Sequence, residues 1–341
     1  MRILTFFAFF IFPTLVFSSL LRAHEFNSIP IDEFTPFVLA DASYHLQVTK
    51  FENTSSFDCH ELEKYCIGIL TFRDGSIYNG EISYGKPHGK GIMKWNDSSY
   101  FIGSFLNGVR NGVGDFHFRN GNRYEGEWKN NRMSGQGTFI WANGTEYIGT
   151  FQEDEMHGTG SVVFNNSESY SGEWRNNIPN GQGSFTQNNG STYMGSVKEG
   201  LRDGEGIILW ENGDTIIGNW AAGKFDGYIR FQYKNGDQLI SEWNDGQIVN
   251  QSSYISKKGK EIKGALQEIE NALLYNSYDP AFASNIQFTY YSIGVEFETN
   301  NQYKTASEYL HLASNIQSDE TLMNQSISFL LHEVNEKQKA N

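Results

Sequence analysis

The stretch "GEWKNNRMSGQGTFIWANGTEYIGTF", residues 126–151, sets glycines between bulky rings and repeats its own opening before it ends. The same order of ring, gap, glycine, gap, ring recurs through residues 66–247 every 23 residues, without insertion or deletion. The first large position falls at Tyr78, Phe101, Tyr124, Tyr147, Tyr170, Tyr193, Ile216 and Leu239. Two residues on stand Gly80, Gly103, Gly126, Gly149, Gly172, Gly195, Gly218 and finally Ser241. Two further come Ile82, Phe105, Trp128, Phe151, Trp174, Val197, Trp220 and Trp243. A fixed period of this length marks a repeat architecture.

Large residues at every second position describe a β-strand whose ring, glycine and ring share one face, while Glu125 and Glu127 point the other way. A turn rich in Gly, Asn and Asp follows. It is expected to end in the pairs Gly89/Gly91, Gly112/Gly114, Gly135/Gly137, Gly158/Gly160, Gly181/Gly183 and Gly204/Gly206, because glycine takes positive φ without a Cβ penalty. A second alternating run, such as Phe139 and Trp141, ends in a turn at Gly121, Gly144, Gly190, Gly213 or Gly236 that feeds the next unit. Each repeat therefore reads as one β-hairpin. Glycine inside a strand weakens it, so its recurrence between two rings predicts that the missing side chain seats a ring of the adjacent hairpin. Hairpins stacked in sequence share one apolar face and leave edges only at the two ends. Eight units of two strands, at about 4.8 Å per strand, give a ribbon of about 75 Å.

The string Tyr124-Glu125-Gly126-Glu127-Trp128, then Gly135-x-Gly137, then Asn143-Gly144, resembles the MORN (membrane occupation and recognition nexus) repeat over residues 66–247. A half-repeat of Gly68, Leu70, Phe72 and Gly75 precedes the first unit, and Ile229 in place of a glycine reads as decay of a terminal capping unit. The resemblance implies a rigid recognition ribbon for a protein or peptide partner, or a membrane-lipid-contacting element. MORN arrays also occur joined to lipid kinase or SET methyltransferase domains. Fewer than 95 residues follow the array here, which leaves a regulatory subunit or remnant of such an enzyme as a third reading.

Beyond residue 250 glycine nearly vanishes. Ile262, Leu266, Ile269 and Leu273, and later Met323, Ile327, Leu330 and Val334, fall at helical spacing. Between them Tyr290, Gly294, Phe297, Tyr303, Ala306, Leu310 and Ala313 resemble one tetratricopeptide unit, with small residues where two helices would meet. The expected fold class is mainly β, a single-layer solenoid of stacked antiparallel β-hairpins with a C-terminal α-helical bundle. Its parts are a leader (1–23), an N-terminal segment (24–65), the array (66–250) and a helical domain (255–341) packed over the last hairpin to cover its edge. Lys257, Lys258, Lys260 and Lys263 read as a solvated helix start, and Tyr44, Leu46 and Val48 alternate as in a short strand.

Apolar residues make up 38% of the chain and aromatic residues 15%, with 35 Gly against 6 Pro, so the chain is neither disordered nor collagen-like. The net charge is −14, and residues 66–247 hold 15 Lys and Arg against 21 Asp and Glu, a difference of −6. No nucleic acid partner is expected, and anionic membranes are disfavoured. Met1, Arg2, the apolar run Ile3 to Leu21 and the small residues Ser18 and Ala23 have the layout of a secretory signal peptide. About 19 apolar residues could also span a bilayer as an uncleaved anchor. Either reading puts the array on the lumenal or outer side, in a secreted protein or one of the secretory pathway. Asn53, Asn96, Asn143, Asn165, Asn189, Asn250 and Asn324 are N-glycosylation candidates. Asn96, Asn143, Asn165 and Asn189 share the edge where repeats join. Cys59 and Cys66 are candidates for a disulfide. A continuous helix would hold their Cα atoms about 10 Å apart, so a bridge needs a bent segment.

None of the eight His residues has a metal-ligand spacing. The run "GKPHGKG", residues 85–91, lacks phosphate-loop spacing, and no GxSxG or kinase signature occurs. No catalytic residue, cofactor or metal is therefore expected. His88 and His157 share a repeat column and read as turn residues, and Glu153, Asp154 and Glu155 read as a solvated turn. The candidate partner-binding residues are Tyr124, Glu125, Glu127, Trp128, Tyr147, Phe151, Tyr170, Glu173 and Trp174, against the alternative that the rings only pack on one another.

Overall fold

The computed structural model describes residues 44–45, 65–270, 280–316 and 321–340; the leader, Asn53, Leu46, Val48 and Cys59, and with it the Cys59–Cys66 bridge, lie outside them. The described strands form one open antiparallel sheet of 20 strands. β1 (Tyr44–His45) and β2 (Cys66–Phe72) precede seven hairpins: β3 (Ile77–Ser83) with β4 (Lys86–Lys94), β5 (Tyr100–Leu106) with β6 (Val109–His117), β7 (Arg123–Lys129) with β8 (Arg132–Ile140), β9 (Glu146–Gln152) with β10 (Glu155–Val163), β11 (Ser169–Arg175) with β12 (Ile178–Thr186), β13 (Thr192–Lys198) with β14 (Leu201–Leu209), and β15 (Thr215–Ala221) with β16 (Lys224–Gln232). β17 (Gln238–Asn244) pairs with both β18 (Gln247–Ile248) and β19 (Ser252–Ile255), and β20 (Glu261–Gly264) ends the row.

Both residues of each hairpin turn have positive φ: Tyr84-Gly85, Asn107-Gly108, Asn130-Asn131, Glu153-Asp154, Asn176-Asn177, Glu199-Gly200, Ala222-Gly223 and Asp245-Gly246. This is the two-residue turn whose twist matches that of the flanking strands. The Gly-x-Gly pairs expected to close the turn lie inside the second strands instead, as do His88 and His157. Two residues suffice to reverse the chain, and it reverses before it reaches them.

A non-glycine residue in the left-handed region costs about 1–2 kcal/mol, which stacking offsets here. Asn131, Asp154 and Asn177 accept through Oδ1 the backbone N–H groups of Arg110, Met133 and Met156, at 2.7, 2.7 and 2.8 Å. Each returns its own N–H to the same residue's carbonyl at 3.0 Å. Pro87 and Pro179 have no N–H to satisfy. The turn residues facing them are Gly108 and Gly200, which keep only the bond to the carbonyl. Asp154 is thus half-buried and structural, not simply solvated.

Register lines up the in-strand glycines in one row across the sheet from Gly68 to Gly218, glycine opposite glycine at each strand. A Cβ on Gly137 would lie 2.4 Å from the Tyr124 hydroxyl oxygen, and one on Gly126 would lie 2.6 Å from the Gly137 Cα. The seat is filled by the tyrosine of the same hairpin, folded back over its own two glycines, and not by a ring of the adjacent one. Its hydroxyl donates to the Glu127 carbonyl at 3.0 Å, a bond repeated at Tyr78, Tyr147, Tyr170 and Tyr193, so each buried phenol keeps a partner. In the last full unit Ile216 replaces the tyrosine and the fully buried Ile229 replaces the second glycine. The Ile229 Cδ1 stands 2.5 Å from where a Cβ on Gly218 would be. The substitution read as decay is an exchange of volume between two positions diagonal across the hairpin, since Ile216 pairs with Phe231.

The sheet continues beyond residue 250. Tyr254 pairs with Ile262 across β19 and β20 and stacks on Tyr233 at 6.0 Å, so Lys257, Lys258 and Lys260 lie in a hairpin turn and Lys263 in a strand, not at a helix start. Helices α1 (Pro280–Thr299), α2 (Tyr303–Asn315) and α3 (Thr321–Ala340) follow. Residues 285–298 of α1 are all buried, and its polar residues sort by face. Asn285, Thr289 and Glu296 bond the array, while Gln287 bonds Ala313 and Asn324 and Glu298 pairs with Lys337. Gly294 lets α2 approach, since a Cβ there would lie 2.8 Å from the Leu310 Cγ. Among the described residues no helix is long and apolar enough to cross a membrane.

Gly137→Ile should destabilise the array by about 1–3 kcal/mol, the usual cost of overpacking. Adding Tyr124→Ile, which recreates the Ile216/Ile229 pair, should recover a large part of that loss in chemical denaturation. Two strictly additive losses would show that the ring and the glycine are not coupled.

Candidate interaction surface

On the glycine side of the sheet the rings form a chain of edge-to-face contacts. Phe101–Trp128 (5.4 Å), Trp128–Tyr124 (5.2 Å), Tyr124–Phe151 (5.0 Å), Phe151–Tyr147 (5.1 Å), Tyr147–Trp174 (5.2 Å) and Trp174–Tyr170 (5.2 Å) run without a gap. Edge-to-face is a preferred arrangement of aromatic quadrupoles. Phe101, Tyr124 and Tyr147 each bridge their own unit to the Trp or Phe of the next. Tyr124, Trp128, Tyr147, Phe151, Tyr170 and Trp174 are all at most 4% exposed, so the six rings proposed to meet a partner instead hold the array together. Burial raises the phenol pKa of Tyr124, Tyr147 and Tyr170 above the ordinary value and keeps them neutral.

Glu127 and Glu173, also proposed as partner contacts, have a structural task. Their Oε1 atoms accept the N–H groups of Gln136 and Gln182 at 3.0 and 2.8 Å, and their carboxylates occupy the space that Gly135 and Gly181 leave open. Glu81 does the same for Lys90 at 2.9 Å. The intervening units carry Ser104, Thr150 and Ser196 at that position, and Lys90, Gln136 and Gln182 reach across to these hydroxyls at 2.8, 2.9 and 2.9 Å. From Glu81 to Ser196 the outer face therefore repeats every two units, whereas the core repeats every one.

Of the nine proposed residues only Glu125 is exposed and outside the framework, and it pairs with Arg123 at 2.8 Å. Arg123 also holds Asp115 with two bonds of 2.9 Å. His117 lies 3.1 Å from the same carboxylate and stacks on Tyr100 at 4.3 Å. Burial pushes the Asp115 pKa up, but Arg123 and His117 outweigh it and hold the carboxyl below the ordinary range.

The helical domain, expected to cover the edge of the last hairpin, instead seats α1 on the ring face of the last units, while β19 and β20 continue the sheet beyond β17. Phe288 and Tyr291 meet Trp210 edge-on at 5.4 and 5.5 Å. Thr289 bonds Tyr233 at 2.6 Å, and Asn285 bonds Tyr254 at 2.9 Å. Glu296 takes Arg202 at 2.9 Å, with side chains only 6% and 14% exposed. Burial raises the Glu296 pKa while Arg202 draws it back. The signal was present as Arg202 at a strand position that Pro or Met fills in most units. Its meaning depended on a helix far along the chain.

Trp128→Ala should cost about 3–5 kcal/mol of stability, and Glu125→Ala should stay within about 0.5 kcal/mol. A melt unmoved by the tryptophan change would show the ring to be exposed. The depressed Asp115 pKa stabilises the fold above the ordinary carboxylate pKa of about 4 and is lost as pH falls through the folded value. The stability gap between the native chain and Asp115→Asn should therefore close on acidification from neutral pH.

Among curated proteins, Alsin of Rattus norvegicus is 38% identical over 53 residues, 16% of this chain and 3% of its own length. The ALS2 C-terminal-like protein of Mus musculus is 38% identical over 53 residues, 14% of this chain and 6% of its own length. The matched part is thus a small fraction of either relative. The solved TCP10 domain of Danio rerio CPAP, in a variant form, covers 58% of this chain and 88% of its own at 11% identity, with a TM-score of 0.34, too low to bear on the fold. The MORN repeat matches residues 78–100, 101–123, 124–146, 147–168, 170–192, 193–215 and 217–238. Seven consecutive matches, in the register that the hairpins set, make the chain a MORN-repeat protein.

Proposed function

We propose that this MORN protein is a non-catalytic scaffold whose ribbon binds a protein or peptide partner, in the lumen of the secretory pathway or outside the cell. One observation carries the reading: the ring face of the array already holds a helix of its own chain, α1, through edge-to-face rings, hydroxyl bonds and a buried ion pair. A surface that seats a helix in this way has the groove, the anchors and the specificity that helix recognition needs. Phospholipid contact is the second reading. The exposed Ile102, Ile148 and Met194 on the outer face favour it, and the acidity of the array opposes it. The tetratricopeptide likeness of α1 and α2 belongs to the same proposal, as a helical hairpin that closes one end of the groove.

The purified chain is expected to cross-link to protein from the secretory fraction and to leave phosphatidylserine vesicles unbound on sedimentation. Vesicle binding without a protein cross-link would overturn the scaffold reading. Asn96, Asn143 and Asn165 are exposed on one edge, whereas Asn189 is half-buried beside Tyr291. Glycosidase treatment should therefore sharpen and speed the band on a gel, and Asn189→Gln alone should leave it unmoved. A chain recovered from cytosol with no glycosidase shift would remove the secretory part of the proposal.

A further inference from the structure

The seat of α1 has an internal counterpart four repeats earlier. Arg202 and Arg110 occupy the same position of their units. The Arg202 Nη2 donates to the Gly223 carbonyl at 3.2 Å, and the Arg110 Nη2 donates to the matching Asn131 carbonyl at 2.8 Å. Arg202 lies over Trp220 and Tyr193 at 5.7 and 5.9 Å. Arg110 lies over the matching Trp128 and Phe101 at 4.2 and 5.8 Å, and also over Phe116 and Trp95. The rings that α1 touches, Trp210 and Tyr233, correspond to Phe118 and Trp141.

The two sites differ in one respect. Arg202 has a carboxylate, Glu296 of α1. Arg110 has no carboxylate within ion-pair distance among the described residues; it feels Asp154 only at longer range, and Asp154 is engaged with Met133. Burial pushes the Arg110 guanidinium down to about 10, so it stays charged at neutral pH. A guanidinium boxed by four rings and left without a counter-ion is a costly feature unless a carboxylate completes it.

We propose that Arg110, with Phe118 and Trp141, forms a second helix seat, and that it takes an amphipathic helix of a partner protein bearing aromatic residues one turn apart and a carboxylate further along. The inference rests on the scaffold reading and names the class of its partner. It commits to a helix because the same ring face, continuous with this stretch, holds α1 in that way. It commits to a carboxylate because the equivalent arginine uses one. Phe118 keeps part of its surface open to solvent, and Trp141 beside it is 7% exposed.

The probe is a synthetic peptide of residues 280–302, which carries Phe288, Tyr291 and Glu296, titrated by fluorescence anisotropy into the full chain. Binding is expected. Arg110→Met should weaken it about tenfold or more; that variant keeps the fold because Met133 and Met156 stand at the same repeat position. A Glu296→Gln peptide should lose a similar factor against the native chain and almost nothing against Arg110→Met, a coupling that a merely structural role for Arg110 would not produce. No binding, binding insensitive to Arg110→Met, or loss only in Arg202→Met, which would mean exchange with the chain's own α1, would each overturn the second seat. None of these outcomes touches the cross-linking result on which the broader scaffold reading depends.

Discussion

The contact between each tyrosine and the two glycines of its own hairpin is the constraint from which the rest of the array follows. A single sheet has no second layer to bury its apolar face, yet Tyr78, Tyr124, Tyr147 and Tyr170 are wholly shielded from water. They reach that state because the strands carry no side chain beneath them and the phenol can lie down on bare backbone. With the ring flat, its edge is left for the Trp or Phe of the next unit, and the ladder of rings is built from that second contact. A ring standing upright on a strand with Cβ atoms below it could make neither contact.

Nearest-neighbour logic runs through the hydrogen bonds as well. Hairpin turns reach back to the unit before them, with Asn131, Asp154 and Asn177 accepting an N–H there and glycine standing opposite Pro87 and Pro179. Stability of this kind is a sum of unit and interface terms, so a substitution in one unit is felt in the next and little further. The exchange of Tyr and Gly for Ile216 and Ile229 shows the same locality, with two diagonal positions of one hairpin differing together while the Trp220 and Phe231 around them stay buried.

Function attaches to what the ring face does when it is covered. In the last units α1 replaces solvent with rings, hydroxyls and one carboxylate, and the burial of Glu296 is offset first by Arg202, which meets it at 2.9 Å. The outer face, with its two-unit alternation of Glu and Ser or Thr from Glu81 to Ser196, is spent on fixing the backbone where the strand register shifts, between Gly126 and Trp128 and between Gly172 and Trp174. That division explains why Glu127 and Glu173, which look like a recognition stripe in the sequence, belong to the framework.

The 23-residue period, the hairpin as its unit and the MORN identity were all legible in the chain, because period-two patterning and glycine spacing are local properties that tertiary context hardly alters. The turns fall a few residues earlier than the glycine pairs suggest, since Asn, Asp and Gly occur both in the turns and inside the second strands that follow. Which ring fills the glycine seat, that Ile229 compensates Ile216, and that the sheet runs on to Gly264 required knowledge of which strand lies opposite which. The seat of α1 is the furthest from sequence of all, because Arg202 and Glu296 are 94 residues apart and no local signal joins them. Periodicity wrote the ribbon; register and packing decided which of its residues hold it together and which stretch of it holds something else.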